Sequence, residues 1–316
     1  MLKKPKHASA MTIPAAVIGS LVEYMDARLD AKAILLAIPH DELTAPLAAL
    51  RRLMTTAKAF DGQWPMVNPE FVPDDYIQLV FVALPVIPKL QVNSVWCMED
   101  QLRDCDLDVA TVLAALTPKL TAMVFWYTDP FEKPPLRSFL PMCTRLVHVS
   151  VYERDIAAAV LPLLPPSVCE LSLHGQEYGP DDLAALSRWL KTGRAKRLVL
   201  NQFNSETSAG AMAEMLATTA SVTSVALIDS DGLIHALAAA QRPLWHFTDV
   251  KIDTDNDIDW AGILILLLDL SKLTRLVADA LGDWSWFVSL LKMPLLQELA
   301  LRSITLTVSR ATLSDL

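Results

Sequence analysis

The sequence predicts an α/β fold in which one strand–turn–helix unit is repeated along most of the chain. Two observations carry this prediction. A short pattern, apolar-x-x-apolar-x-apolar, recurs nine times in the 316 residues at steps of 22 to 28 residues. The segments between these matches carry the start and stop signals of helices. Such units stack as a solenoid, with parallel strands on one side and helices on the other.

The recurring pattern is clearest in the segment LQELAL, where Leu296, Leu299 and Leu301 take the three apolar positions. One such hexamer means little in a chain that is 53% hydrophobic, but nine at similar spacing indicate a structural repeat. Each match predicts a short strand with its apolar side chains facing the core. The central residues of the nine strands are Val95, Met123, Val149, Leu171, Leu198, Val225, Val250, Leu276 and Leu299.

The segments between the strands predict helices. In GPDDLAALSRWLKTG, Pro180 stands at the first helical position, acidic residues follow it, and Gly193 supplies a stop signal. Leucines at positions 183, 186 and 190 form a stripe at helical spacing. The segments RDIAAAVLPLL, SAGAMAEMLATTA and DWAGILILLLDLSKL occupy equivalent places, so we expect helices there too.

Strand, turn and helix at this period resemble the ribonuclease-inhibitor-like class of leucine-rich repeat proteins. The resemblance implies short parallel strands on a concave face, helices on a convex face, and binding of other proteins. Members of that class usually have Asn or Cys five residues after each strand centre, where this chain has Phe203, Ser230 and other types. The repeats are therefore degenerate. An ordinary α/β sheet with crossover helices is the alternative.

The first ninety or so residues do not repeat and predict a helical region. Their apolar residues share one face of a helix, and a turn near residues 26–30 precedes a second helix. This pattern resembles the start of an F-box, with Ile13-Pro14 at its Leu-Pro position. The resemblance implies that a ubiquitin-ligase adaptor binds at Ile13, Pro14, Val17, Ile18, Leu21 and Tyr24. The alternative is a helical cap that covers the apolar end of the first repeat.

The chain departs from the F-box pattern after the second helix. An F-box usually ends in a third helix that carries a basic pair and a Trp. Here Pro39 interrupts, the pair Arg51-Arg52 comes late, and Trp64 comes later still.

Four segments follow from these patterns. Residues 1–12 are expected to form a flexible tail, and residues 13–60 a helical region that is F-box-like or capping. Residues 61–88 form a connector with three prolines in DGQWPMVNPEFVPDD, and residues 89–316 a solenoid of about nine repeats. Only TVSRATLSDL follows the segment LLQELALRSITL, which contains the last strand. We therefore expect an end that is incompletely capped, packed on a partner, or truncated from a longer product.

Composition argues against several classes of function. The net charge of −9 disfavours nucleic acid as a partner, and the longest uncharged apolar run, residues 260–268, is too short to span a membrane. Four cysteines form no C-x-x-C pair, which predicts reduced thiols in a cytoplasmic or nuclear protein.

The sequence also lacks a catalytic signature. Motifs for phosphate loops, dinucleotide sites, serine hydrolases and zinc proteases are absent, so we expect no enzyme activity and no cofactor. The segment DTDNDIDW resembles the start of a calcium loop, but Ile258 stands where glycine is required and Leu264 where a bidentate Glu is required. We therefore expect no metal site.

A partner is expected to bind the sheet face that points away from the core. Residues one and three positions after each strand centre lie on this face, because side chains alternate along a strand. Aromatic residues on four adjacent strands would supply anchors for a protein partner. The predicted partner-binding residues are Trp96, Trp126, Tyr152, His174, Asn201, Asp253, Asp279 and Arg302.

Together these expectations describe a protein–protein interaction module. The sharper hypothesis is an F-box-like substrate receptor of a cullin-type ubiquitin ligase, with the adaptor on the N-terminal helices and the substrate on the concave face. The alternative is a non-enzymatic scaffold or regulator in which the N-terminal helices only cap the solenoid.

Overall fold

The structure is a computed structural model, and it describes residues 14–56, 60, 62, 64–93, 109–125, 138–152, 156–175, 178–254, 267–269, 271–278 and 298–301. The chain forms two compact units, Met1–Leu120 and Thr121–Leu316. Each unit contains helices and parallel strand pairs, so the predicted α/β class with a parallel sheet is confirmed.

The first unit begins with three helices: α1 (Ala15–Glu23), α2 (Arg28–Ala37) and α3 (Ala45–Thr55). A 3-10 turn, His40–Glu42, follows Pro39 and separates the second helix from the third. Pro46 lies in the first turn of α3, where the N–H group that proline lacks would have no helical acceptor.

Two arginines tie α2 to α3 reciprocally. Arg28, the first residue of α2, donates from Nη2 to the carbonyl of Met54 near the end of α3, at 3.4 Å. Arg51 of α3 donates from Nη1 to the carbonyl of Ile38, just past the end of α2, at 3.0 Å. Each cation therefore lies at the negative end of the other helix and satisfies a carbonyl that has no helical donor. The two bonds join these helices at their ends.

The range that the sequence predicted as a connector contains regular structure. After it come the strand β2 (Lys89–Val92) and the helix α5 (Val109–Leu116). The strand β1 (Met66–Val67) lies within it and pairs with β2 in parallel, and the side chains of Val67 and Leu90, which lie opposite each other, are fully buried. A strand–helix–strand unit therefore precedes those that the apolar pattern detected. Its elements are β1 (Met66–Val67), a 3-10 turn (Pro69–Phe71), α4 (Asp74–Ala83), a 3-10 turn (Leu84–Val86) and β2 (Lys89–Val92).

In the second unit the strands follow one another in sequence order, and each neighbouring pair is parallel. These strands are β3 (Leu120–Phe125), β4 (His148–Val151), β5 (Glu170–His174), β6 (Arg197–Asn201), β7 (Ser224–Ile228), β8 (Asp249–Asp253), β9 (Arg275–Ala278) and β10 (Glu298–Leu301).

The register of this sheet confirms the predicted strand centres from Met123 onward. Met123 lies opposite Val149, and Val149 lies opposite Leu171. The same correspondence continues strand by strand until Leu276 lies opposite Leu299. Val95, the centre of the first predicted strand, lies outside the described residues.

The apolar positions of the repeated pattern form the core of the second unit. From Leu120 to Leu276, the side chains at these positions are at most 6% exposed. Helices cover this face of the sheet, since residues from two helices and from neighbouring strands line one small internal cavity. They include Leu216, Leu237, Leu227 and Val250. The helices of this unit are α6 (Ile156–Val160), α7 (Pro180–Lys191), α8 (Glu206–Thr218) and α9 (Asp231–Ala240).

The predicted signals of α7 act as expected, with one addition. The helix begins at Pro180, and Gly193 adopts a positive φ of 71° just beyond its end. The carboxylate of Asp182, only 2% exposed, accepts from the backbone N–H of Gly179 at 3.2 Å. Its other oxygen accepts from the N–H of Ala158 in α6 at 2.7 Å. This buried acid therefore caps its own helix and joins it to the preceding repeat.

The strands β5 to β9 each start with the same shared hydrogen bond. The carbonyl of Val147 accepts from the N–H groups of both Cys169 and Glu170, at 3.1 and 3.0 Å. The carbonyl two residues before each following strand centre accepts two N–H groups of the next repeat in the same way. These acceptors are Cys169, Lys196, Thr223 and Thr248.

In the loop after β7, a serine side chain satisfies backbone groups of the chain. Ser230 stands five residues after a strand centre, where leucine-rich repeat proteins usually have Asn or Cys, and it is fully buried. Its hydroxyl accepts from the N–H of Phe203 at 3.0 Å and lies within donating distance of the carbonyls of Ile228, at 2.8 Å, and Leu200, at 3.1 Å. One hydroxyl thus bridges the backbones of two repeats.

Replacing Ser230 with alanine is expected to lower the free energy of unfolding by about 1–3 kcal/mol, because buried backbone groups of two loops lose their partner. The measurement is a urea unfolding curve. The control is Thr207→Ala, which removes an exposed hydroxyl of the neighbouring helix and should change stability by less than about 0.5 kcal/mol. Equal effects of the two substitutions would contradict the bridging role.

The variant Arg51→Ala tests the arginine–carbonyl hydrogen bonds that join α2 to α3. We expect a loss of about 1 kcal/mol, because the carbonyl of Ile38 loses a charged donor. The adjacent Arg52 is exposed, and Arg52→Ala is a matched control with the same change of charge and helix propensity. Thermal unfolding followed by circular dichroism distinguishes the two, and similar losses would show that Arg51 acts only through its charge.

Candidate functional site

The outer face of the second unit is the sheet face that carries the residues one before, one after and three after each strand centre. In-register pairing arranges these residues in three rows that run across the strands. The first row is mostly charged, the middle row is mostly small, and the third row is aromatic and polar. This face is the one that the sequence predicted for a partner.

The first row holds charges of alternating sign. It starts with His148, whose Nδ1 lies 3.6 Å from Oε2 of Glu170 on the next strand. Further along, Asp249 accepts from the hydroxyl of Ser224 at 2.9 Å and pairs with Arg275 at 3.4 Å. Two side-chain contacts of this row therefore join neighbouring strands. These residues were not among the predicted partner-binding residues, although the alternation one position before each centre is visible in the sequence.

The middle row is largely closed to solvent by its neighbours. Ser150, Ser172 and Ala226 are 5–6% exposed although they face away from the core. His148 contributes to this cover, because its Nε2 lies 2.8 Å from the hydroxyl of Ser150. In β8 this row carries Lys251, whose Nζ reaches 2.9 Å from Oδ2 of Asp253 in the third row. Of the predicted site residues, Asp253 is therefore engaged in an ion pair.

The third row brings three of the predicted site residues together. The rings of Tyr152 and His174 stack with centroids 3.9 Å apart and planes 8° from parallel. Asn201 lies opposite His174 in the next strand, and its Nδ2 is 3.2 Å from Nδ1 of the imidazole. All three side chains are half-buried. We call Tyr152, His174 and Asn201 the aromatic–amide strip.

Burial lowers the pKa of two histidines on the outer face. For His148, desolvation lowers the pKa and the neighbouring Glu170 opposes the effect. For His174, desolvation lowers the pKa further together with repulsion from His148. Both imidazoles therefore favour the neutral form, and the three acidic and three basic side chains of the face on β4 to β9 balance one another. The face is close to electroneutral, whereas the whole chain carries −9.

On the outer face, a hydroxyl, an imidazole and a carboxylate are linked by successive side-chain contacts. Ser150 lies beside His148, and His148 lies beside Glu170, in the order used by serine hydrolases. Acyl transfer also requires N–H donors aimed at the oxyanion. The backbone N–H groups of β4 are used in pairing with β3 and β5, and Ser150 is nearly inaccessible. The arrangement stabilises neighbouring strands, and we do not assign it a reaction.

The first helix presents apolar side chains to solvent. Val17, Leu21 and Tyr24 are 47%, 45% and 87% exposed and recur at helical spacing, so they share one face. Pro14, which precedes the helix, is also exposed. Ile18 is only 3% exposed, because it lies about 100° around the helix from Val17 and faces the interior with Val22. Of the predicted adaptor-binding set, Ile18 is therefore a core residue of this unit.

The second helix adds an exposed apolar face whose residues were not among the predicted adaptor-binding residues. Leu29 and Leu36 are 77% and 48% exposed, and Ala33 between them is also exposed. Their i, i+4 and i+7 spacing was available in the sequence, but only the packing of α2 decides which side faces solvent.

Several predicted site residues lie outside the described residues. These are Ile13 among the adaptor-binding residues and Trp96, Trp126, Asp279 and Arg302 among the partner-binding residues.

In the described part of the chain no group of three or more His, Cys, Asp or Glu side chains could hold a metal ion. Among the described helices, none has the length and apolar character needed to cross a membrane. Burial raises the pKa of the Cys143 thiol to about 12, so this thiol stays protonated near neutral pH and is a poor nucleophile.

Comparison with protein-family models gives no match for this chain. Comparison with curated proteins gives none either. The functional interpretation therefore rests on the sequence pattern and on the contacts described above.

Acidification is expected to destabilise the protein through three partly buried histidines. Burial lowers the folded pKa of His148, His174 and His246 below the value of 6.5 for a free imidazole. As the pH falls below 6.5, the unfolded state therefore binds more protons than the folded state. The free energy of unfolding decreases until the pH reaches the lower pKa values that these histidines have in the folded protein. Urea unfolding at about pH 7.5 and about pH 5.5 measures the loss.

The variants His148→Gln, His174→Gln and His246→Gln should each reduce the dependence on pH, whereas His40→Gln, on an exposed side chain, serves as control. A dependence that is unchanged in all three variants would rule out this origin.

Proposed function

We propose that this protein is a recognition module of leucine-rich repeats that acts as an F-box-like substrate receptor of a cullin-type ubiquitin ligase. In this proposal the N-terminal helices bind the ligase adaptor and the outer face of the sheet binds the substrate. The observation that carries the proposal is the exposed apolar face of α1, formed by Val17, Leu21 and Tyr24. Soluble proteins seldom leave such residues together at the surface unless they meet a partner.

The leucine-rich repeat assignment is supported by the regular spacing of the strands. Eight strand centres, predicted from one apolar pattern, lie opposite one another in a parallel sheet whose helices cover the other face. Ser230 bridges two loops at the position where the family places Asn or Cys. The role of that position is kept here, although the residue differs.

The F-box-like assignment is supported by the third helix. The pair Arg51-Arg52 lies in α3, so a basic pair does occur on the third helix of the N-terminal region. Trp64, which comes later than in the F-box pattern, donates from Nε1 to the carbonyl of Met25 at 2.8 Å, and so lies against the turn between α1 and α2. The departures noted from the sequence are therefore compatible with an F-box-like arrangement of three helices and a Trp.

A second candidate is a scaffold or regulator whose N-terminal helices only cap the repeats. It is favoured by the interior contacts of these helices. Ile18 and Val22 are buried, and Gly19 packs near Val86, where an added Cβ would lie 3.7 Å from Cγ1 of that valine. Part of α1 therefore does cover the elements that follow it. The two candidate functions differ in whether the exposed side of α1 binds a ligase adaptor.

A pulldown of the ligase adaptor distinguishes the two candidate functions. The variant Leu21→Asp places a charge on the exposed face of α1 and should abolish co-purification of the adaptor and cullin, with little effect on folding because Leu21 is 45% exposed. The control is Met142→Asp, at a comparably exposed apolar residue of the second unit. A pulldown of the unmodified chain that contains neither adaptor nor cullin would exclude the F-box-like role.

Substrate binding is tested in the same pulldown with Trp126→Ala and Tyr152→Ala. Loss of a reproducible co-purifying protein, with retained adaptor, would locate the substrate on the outer face. Trp245→Ala removes an aromatic side chain that is 60% exposed in the loop before β8, and serves as control. Unchanged capture in the Trp126 and Tyr152 variants, with unchanged folding, would move the substrate site elsewhere.

A further inference from the structure

The aromatic–amide strip holds His174 in a fixed position between two strands. Tyr152 stacks on one side of the imidazole, with centroids 3.9 Å apart, and Asn201 meets its edge at 3.2 Å. The contact to Asn201 joins two nitrogens, Nδ2 of the amide and Nδ1 of the ring. With the Asn201 amide in this orientation, its NH2 group donates and Nδ1 accepts, and the ring is then neutral with its proton on Nε2.

The same contact leaves the other end of the amide without a partner. Oδ1 of Asn201 is buried and accepts no hydrogen bond within the part of the chain that the structure describes. A buried acceptor without a donor costs free energy, commonly on the order of 1–3 kcal/mol. When the pair is neutral, Nδ1 of His174 therefore has a hydrogen-bond donor and Oδ1 of Asn201 has none.

We infer that His174 and Asn201 form a proton-operated switch on the outer face of the sheet. When the ring takes a proton from solvent, Nδ1 becomes a donor and can no longer accept from Nδ2. Rotation of the carboxamide by about 180° brings Oδ1 to the ring edge, where it accepts from Nδ1–H. The oxygen that lacked a donor thereby gains a charge-assisted bond, which is shorter and stronger than the neutral one.

The charged and titratable groups of the outer face around this ring lie on β4, β5 and β6 or just beyond their ends. On β4, His148 raises the cost of a second positive charge, and Tyr152 offers its ring face to the cation. On β5 itself, Glu170 is the acidic group of the first row, and on β6, Arg197 stands opposite Glu170 in that row. Desolvation and the repulsion from His148 lower the pKa of His174, so the neutral state prevails near neutral pH.

The switch changes the character of the outer face. The face is close to electroneutral when His174 is neutral, since its acidic and basic side chains balance. Protonation adds one positive charge in the half-buried third row and reverses the side of Asn201 that meets the imidazole. The strip would then favour a carboxylate over an uncharged group. The inference goes beyond the proposed function and does not depend on it, because the contacts lie within this chain.

The test is an NMR titration of the full chain labelled with 15N and 13C. We expect the imidazole 15N shifts of His174 at neutral pH to show the proton on Nε2. The side-chain NH2 resonances of Asn201 should move with the same midpoint as the Cε1–H of His174. A neutral ring with its proton on Nδ1, or Asn201 resonances that do not titrate with His174, would overturn the proposal.

Variants give an independent measurement. N201A removes the acceptor for the protonated ring and should lower the midpoint of His174, whereas N201D supplies a carboxylate and should raise it. H148Q removes the neighbouring imidazole and should raise the midpoint while Asn201 still titrates with His174. Asn204→Ala removes an exposed amide that donates to the carbonyl of Asp229, and it should leave the midpoint unchanged. An unchanged midpoint in both N201A and N201D would also overturn the switch.

Discussion

The central part of the second unit depends on a shared backbone acceptor at the start of each strand from β5 to β9. One carbonyl accepts two N–H groups of the next repeat, and the same bond recurs from Val147 to Thr248. This bond fixes the register between neighbours, because shifting a strand by one residue would send its apolar side chains to the opposite face. Burial of the apolar positions and the rows of the outer face both follow from that register.

A fixed register also determines what the outer face can do. Residues at equivalent positions of successive strands become neighbours, so side chains distant in sequence interact across about 4.8 Å. Charges pair along the first row, and the ring of His174 meets Tyr152 from one neighbouring strand and Asn201 from the other. In the proposed function, a face whose acidic and basic side chains balance would recognise a substrate by stacking and amide hydrogen bonds more than by net charge. Protonation of one imidazole then changes the net charge of this face by a large fraction.

The N-terminal helices follow a different principle. Reciprocal bonds from Arg28 and Arg51 to the carbonyl ends of α3 and α2 hold these helices together at their ends. The burial of Ile18 and Leu35 uses one side of α1 and α2, while Leu21 and other apolar side chains remain outside. A helix that is apolar on both sides is typical of a segment with two neighbours, one within its own unit and one in a partner.

The sequence by itself determined the repeat, the strand centres from Met123 onward, and the bounds of α7, because alternation, period and helix signals are local. It did not reveal β1, which is only two residues long, or α4 within the proline-containing connector. Nor could it separate Ile18 from Val17, since both are apolar and only packing decides which side of α1 is buried. The stack of Tyr152 on His174 and the bond to Asn201 were decided by tertiary structure alone, because they join residues of three strands that come together only through the register of the sheet.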